Sequence, residues 1–473
     1  MKSPTLRWAA FGFALFHIYC NVFASISELW LAAIHFGGFC ALCALMANES
    51  GNLSRRSLGY WLNVTLAGLA IATSAYLILF ENALYARETE YIVTDYLFSF
   101  IAIGLAIEFT RRTTGWFMPI LIVLSLSYIL FLGRYIGGVF SFPGLSLETV
   151  LYRSFFTTEG MFGLTAQISS TFVFMFIIFG AFLLRSGAGD FIVRLAGCLA
   201  GRYTGGAGLV AVVGSGLMGS VSGSAVANTV STGVITIPMM RESGFPAKFS
   251  AGVVAASSTG GALMPPVMGA AAFLMVEYVG ISYVEVITHA FLPAAISYIA
   301  LVYIVHLEAL KLGIQPMMAS GKPRTFMQKL AGWGMGTAGT LIVMGLVYWI
   351  GVGVQAVAGA AAIWILLFLL LVLYVFLLKV AADHEDLPTD INVNTPVRPE
   401  PWPTVRAGLY FLIPIGILVW CLTVEVMSAG LSAFWAVVAM LFQMATQRPI
   451  IAWFRKQATA QPLRQGVSEV WVG

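Results

Sequence analysis

Residues Gly219 to Pro238 read GSVSGSAVANTVSTGVITIP, a run of Gly, Ser, Thr and Asn with no formal charge, set between strongly apolar flanks. A second polar run follows, Ser257-Ser258-Thr259-Gly260-Gly261, and ends at Pro265-Pro266. Sodium is satisfied by several neutral oxygens, so hydroxyls, an amide carbonyl and carbonyls freed from an unwound helix can hold it without a carboxylate. Half-helix N-termini at such a break can also face an anionic group. The candidate ion ligands are Ser220, Ser222, Gly223, Ser224, Asn228 and Thr229 on the first run, with Ser257, Ser258, Thr259 and Gly260 on the second. Thr232, Gly261, Pro265 and Pro266 are the candidate substrate contacts. A plainer reading is a packing surface of small residues. It accounts for Gly214, Gly216 and Gly219 but leaves many hydroxyls needing partners. A plain Pro kink is the corresponding alternative for the second run; Gly-Gly followed by Pro-Pro favours a true break, because Pro removes a backbone donor and disrupts the preceding turn.

These residues must be positioned by membrane helices. The chain has 473 residues, 59% of them apolar and 10% charged, and a mean hydropathy of +0.89. Soluble proteins carry charge on roughly a quarter of their residues. The sequence predicts an all-α polytopic membrane protein with about a dozen spans of ~20 residues, one re-entrant helical hairpin and one broken helix. The spans are expected at 8–27, 30–47, 59–80, 95–110, 115–136, 165–185, 249–276, 283–307, 333–351, 355–379, 405–424 and 430–446. With Lys2 and Arg7 in the cytoplasm, Arg55, Arg56, Arg111, Arg112, Lys322 and Arg324 fall on the same side. The loop carrying Glu81, Glu88 and Glu90 falls outside, an alternation that follows the positive-inside rule. The net charge of +4 sits in short loops that set topology and implies no nucleic-acid partner. The five cysteines lie mostly in or beside apolar runs, and Cys40 and Cys43 lack the second pair that a zinc site or disulfide framework needs. The first apolar run has no clear small-residue cleavage site and leads into further spans, so it reads as a helix rather than a signal peptide.

Segment 205–240 enters and leaves on one face, and its length is short for two spans of ~20 residues with a loop. A hairpin with its tip near Ser220 to Asn228 is therefore expected. Four regions follow: an N-terminal bundle over 1–136, a linker over 137–164, a first transport repeat over 165–312 and further membrane helices over 313–473. The last region includes an acidic, Pro-rich cytoplasmic loop at 381–404. Glu108, Glu277, His306 and Glu308 sit near span ends, where an interfacial role is expected. His17 and His35 lie inside N-terminal spans, where a hydrogen bond between helices is expected. An intramembrane serine hydrolase using Ser222 or Ser224 would need a base within hydrogen-bond reach, and His306 lies at a span end far from the tip. No enzyme activity and no cofactor beyond sodium as coupling ion is expected.

The runs GSVSGSAVANTVSTGVITIPMM, ASSTGGALMPPVMGAAAFLMVEYVG and FLPAAISYIALVYIVHLEALKLG together resemble the tripartite ATP-independent periplasmic (TRAP) transporters, over roughly 155–312. More closely, they are similar to fused permeases of the TAXI type, in which small and large membrane subunits share one chain. The resemblance implies half of an inverted-repeat, elevator-type secondary transporter in the bacterial inner membrane. It implies sodium-driven import of organic anions delivered by a periplasmic solute-binding protein. It places Ser220 to Thr229 on the first hairpin and Ser257 to Gly260 on the facing broken helix. Members of the family carry a second repeat with its own hairpin. Gly334-Met335-Gly336-Thr337 only faintly matches such a motif, so a second chain or further sequence would supply that half; a truncated, partner-binding remnant is the alternative.

Overall fold

The computed structural model describes residues 3–319 apart from 52 and 55, residue 345, residues 349–384 apart from 355, residues 397–457 and residue 465. Helix dominates, because a backbone in lipid must satisfy its own hydrogen bonds. Among the described residues, eight helices are long and apolar enough to cross a membrane: Glu28–Ser50, Leu58–Arg87, Val93–Thr114, Leu164–Arg185, Tyr283–Leu312, Ala362–Ala382, Pro401–Thr423 and Ala429–Phe454. They correspond to eight of the dozen expected spans. Pro4–Val22 is helical, but Arg7, His17 and Asn21 dilute it. The span expected at 115–136 stops at Leu130 after 14 residues. The span expected at 249–276 is interrupted. The span expected at 333–351, with Gly334 to Thr337, falls largely outside the described residues.

The chain divides into two compact units. The first takes residues up to Met175 together with Phe273–Gly280. Its helices Glu28–Ser50 and Leu58–Arg87 meet through small residues, with Ala41, Ala44 and Ala67 in the contact and Ser74 Oγ donating to the Ala33 carbonyl at 2.6 Å. The stretch 137–164 is more than the expected linker. Phe155, Phe156 and Phe162 are buried among Leu29, Ala32, Tyr76 and Leu77, in a core shared with the N-terminal helices. Aromatic side chains carry a large apolar area that favours burial, and here they draw the segment inward.

The second unit takes Phe176–Ala272 and the chain from Ile281 onward. Helices Ala188–Ala200, Gly206–Ser222, Ala225–Glu242, Ala247–Gly261 and Tyr283–Leu312 lie within it. A core of Val193, Ala196, Leu209, Val210, Met239, Met240, Val254 and Tyr298 joins them. The expected loop 381–404 is only partly described. In its described part, Val397–Arg398 pairs in parallel with Met318–Ala319, and a helix begins at Pro401. Pro is favoured at that first helical position because its missing N–H would have had no partner there.

Candidate functional site

Helix Gly206–Ser222 and helix Ala225–Glu242 are joined through Gly223 and Ser224. Gly223 has φ +63 and its N–H bonds the Gly219 carbonyl, a left-handed helix stop that glycine adopts at no steric cost. Ser224 starts the second arm, its Oγ accepting from the Ala227 N–H at 3.2 Å. Along that arm Asn228, Thr232 and Thr236 are buried, while Val226, Val230 and Val234 on the opposite face are 62–75% exposed. The polar stripe thus turns inward, as suits a helix with apolar surroundings.

The broken helix meets the tip. Ser257 to Thr259 remain helical; the break lies further on, at 262–269, between helices Ala247–Gly261 and Ala270–Val279. The displacement has a local cause. Ser257 Oγ bonds the Val254 carbonyl and Thr259 Oγ1 the Ala255 carbonyl, inside their own helix. The helix stops at Gly261, and Pro265-Pro266, two residues that offer no N–H, stand inside the break and keep it from resuming before Ala270. The break is pinned to the tip: the Val267 N–H donates to the Ser220 carbonyl at 3.0 Å. A Cβ on Gly223 would lie 2.0 Å from the Met268 carbonyl oxygen. Only a glycine allows that approach. Deeper in, a Cβ on Gly219 would lie 2.3 Å from the Gly261 Cα, so two backbones touch there.

Most hydroxyls at the site are already bonded. Ser220 Oγ donates to the Leu217 carbonyl, Thr229 Oγ1 to Ala225 and Thr232 Oγ1 to Asn228. Ser258 Oγ lies 3.1 Å from Ser215 Oγ, and Asn228 Nδ2 donates to the Ser215 carbonyl at 2.8 Å. Two buried side-chain oxygens at this site have no partner, Ser222 Oγ and Asn228 Oδ1; elsewhere among the described residues the same holds for Tyr91 OH, Gln443 Oε1 and Gln447 Oε1. Leaving such groups unpaired costs about 1–3 kcal/mol each. A small cation accepts electron pairs from just these atoms, and bonded hydroxyls keep lone pairs for it too.

The expected site residues are therefore gathered unevenly. Ser220, Ser222, Gly223, Ser224, Asn228, Thr232, Ser258 and Gly261 belong to the hairpin and its contact with the broken helix. Thr229 is half-buried, Thr259 is exposed, and Gly260 faces Ser297 and Tyr298. Gly261 is packed on Asn228, which closes it to a substrate, while Pro265 and Pro266 stay half-buried at the break. Three contributors were not anticipated. Ser215 supplies the carbonyl that holds Asn228. Tyr298 donates to the Ser257 carbonyl at 2.7 Å, and Tyr283 donates to the Pro266 and Val267 carbonyls. Ser215 sits in the glycine run of the first arm, where a lone Ser among Gly214 and Gly216 is the one available signal; the tyrosines look like ordinary interfacial aromatics. His306 bonds the Thr204 carbonyl at 3.4 Å, before the first arm begins. Sixteen helical residues, ~24 Å at 1.5 Å each, separate that end from Ser222, too far for a base. Among the described residues, no three or more His, Cys, Asp or Glu side chains gather as a transition-metal site, and the cysteines are free.

An uncharged hairpin pressed against an interrupted helix, inside a multi-pass helical membrane protein, is the build of a solute carrier. Residues 101–378 match the family described as tripartite ATP-independent periplasmic transporter, DctM component, and the chain belongs to that family. It is 32% identical over 149 residues to the C4-dicarboxylate TRAP transporter large permease protein DctM of Rhodobacter capsulatus, covering 32% of this chain and 31% of that protein. It is 35% identical over 91 residues to the 2,3-diketo-L-gulonate TRAP transporter large permease protein YiaN of Escherichia coli, covering 19% and 21%. It is 36% identical over 91 residues to the sialic acid TRAP transporter permease protein SiaT of Haemophilus influenzae, covering 19% and 15%. The chain thus spans about a third of the length of the first of these relatives and less of the other two. The relatives are transporter permeases, not enzymes.

Proposed function

We propose that the chain is a membrane permease component of a TRAP-type secondary active transporter in the bacterial inner membrane, its N-terminus in the cytoplasm. It takes up organic acids (carboxylates) delivered by a periplasmic solute-binding protein, and sodium drives the uptake. The observation that carries the sodium reading is the pair of unpartnered buried oxygens, Ser222 Oγ and Asn228 Oδ1, at the hairpin tip. Ser220, Gly223, Ser224, Thr229, Ser257, Ser258, Thr259 and Gly260 complete the proposed ion region. Thr232, Gly261, Pro265 and Pro266 stand on the proposed substrate side, with Gly261 supporting it through its packing. The solute class is supported by the relatives, whose names specify acids. Residues 1–136 are proposed to serve as the small membrane subunit. The family match starts only at residue 101, after three complete helices.

The test is a melting curve of the purified full chain in detergent, in sodium against potassium chloride at equal ionic strength. A ligand at 100 times its Kd stabilises by about 2.7 kcal/mol, so sodium is expected to raise the midpoint and potassium to leave it. Equal midpoints in the two salts would remove the sodium site. Uptake of a labelled C4 dicarboxylate into proteoliposomes, with the binding protein added, tests the solute class.

A further inference from the structure

In the first unit, helices Pro4–Val22 and Glu28–Ser50 meet at two imidazoles. His17 is fully buried, and its Nδ1 lies 3.0 Å from the Phe13 carbonyl oxygen. A carbonyl only accepts, so Nδ1 carries a proton, an assignment made from the network. In the neutral pair His17 Nε2 then accepts from His35 Nδ1–H at 3.1 Å, and His35 Nε2 accepts from the Ser169 hydroxyl at 3.1 Å. One more proton reverses the chain without moving a heavy atom. His17 Nε2–H donates to His35 Nδ1, His35 Nε2–H donates to Ser169 Oγ, and the Ser169 hydroxyl turns to another acceptor. Every ring nitrogen keeps a partner in both states.

The surroundings offer an added charge aromatic rings rather than water. The rings of Phe13 and Phe174 lie 4.4 and 4.5 Å from the His17 ring, and Phe39 lies 4.5 Å from His35, inside the range of cation–π attraction. Ser169 opens the π-helical segment Ser169–Val173, a wide turn found frequently at functional sites. Asn21 Nδ2 ties the two sides by donating to the His17 and Ser170 carbonyls. Among the described residues, no charged side chain bonds either ring. At 1.5 Å per residue, Arg7 is ~15 Å along its helix from His17, and Glu28 and Glu49 are ~10 and ~21 Å along theirs from His35. Glu277 lies four residues beyond Phe273, whose ring stacks on Phe172. Cys20 and Cys40 are the nearest thiols on the two helices. Leu58–Arg87, packed on Glu28–Ser50, brings the neutral hydroxyls of Thr73 and Ser74, with Tyr76 as its nearest titratable group. A charge at membrane depth is expensive, and sharing it across two rings, a carbonyl and a hydroxyl is what lowers that cost.

We propose that His17, His35 and Ser169 form a proton-binding site in the first unit, which takes up one proton between the two imidazoles. It involves none of the hairpin residues and gives the carrier a response to pH that does not pass through the proposed sodium site.

The test is a pH titration of the full chain in lipid nanodiscs, ¹⁵N-labelled at histidine, with the resonances assigned by His17→Gln and His35→Gln. In the wild type, His17 and His35 change together in a step worth one proton for the pair. His35→Gln moves the His17 midpoint by more than about one pH unit or abolishes the step; Ser169→Ala keeps the shared step and displaces it less. The proposal is overturned if both rings stay neutral down to about pH 4, or if the His17 midpoint moves by less than about 0.2 unit on replacing His35. Should His35→Gln fail to fold, the wild type still decides, since two separate one-proton steps, or none, also overturn it.

Discussion

The N-terminal helices and the hairpin both bury polar side chains, but they treat them differently. In the first unit Asp95 is 1% exposed and fully engaged: Arg87 Nη2 and Tyr76 OH donate to Oδ1, Arg87 Nε and the Ile92 N–H to Oδ2. Asn48, Asn63, Arg112 and Glu108 form a second bonded chain. At the hairpin, Ser222 Oγ and Asn228 Oδ1 are also buried and are bonded to nothing. Saturated polar groups hold helices together; unsaturated ones at the meeting of a hairpin and a break are where a ligand is expected to act.

That contrast is open to direct attack. Asp95→Ala leaves Arg87 without its carboxylate, and removing one partner of a buried pair costs about 3 kcal/mol or more. Chemical unfolding of the variant should show that loss, with its sodium response unchanged. Gly223→Ala forces a side chain into the left-handed region and onto the Met268 carbonyl; the conformation alone costs about 1–2 kcal/mol. It should lower the melting midpoint and the sodium response together, and a variant that kept both would show that the tip need not touch the break.

Ser222→Ala separates the two regions most sharply. Removing an unpaired hydroxyl leaves stability in sodium-free buffer unchanged or raised by up to about 1 kcal/mol. Loss of one ligand weakens sodium binding about tenfold, equivalent to 1.4 kcal/mol. The smallest effect is expected at Asp190 on helix Ala188–Ala200, outside the spans. Burial raises its carboxyl above the usual range, against the pull of Arg194. A raised carboxyl favours folding below the unfolded-state value, and that stability is lost as pH rises through the folded-state value. Asp190→Asn should therefore give a slightly higher melting midpoint at neutral pH and a flatter profile across the acid range.

Much of this was legible in the sequence. Hydropathy and charge indicated the helical membrane class, and the density of Gly, Ser and Thr marked 205–240, where two helices are joined through Gly223 and Ser224. The position of the break was not, because Ser257 and Thr259 spend their hydroxyls on their own helix, a choice that composition does not reveal. Nor was the role of Tyr283 and Tyr298, which reach back to the site from the long helix that follows the break. The segment 137–164 looked like a linker because Gly, Pro and charges dominate it. Three of its phenylalanines, Phe155, Phe156 and Phe162, decided its fate through contacts with helices that come much earlier in the chain. The His17–His35 bond was readable as a possibility from two histidines in apolar runs, but Ser169, the third member, was not.

The most direct measurement is equilibrium binding of ²²Na⁺ to the purified wild-type chain and to Ser222→Ala, each checked for folding in sodium-free buffer. Saturable binding by the wild type, weakened about tenfold in a variant that is equally stable, is the predicted result. Equal binding by the two proteins, or none by a folded wild type, would contradict the assignment of the free hairpin oxygens to sodium.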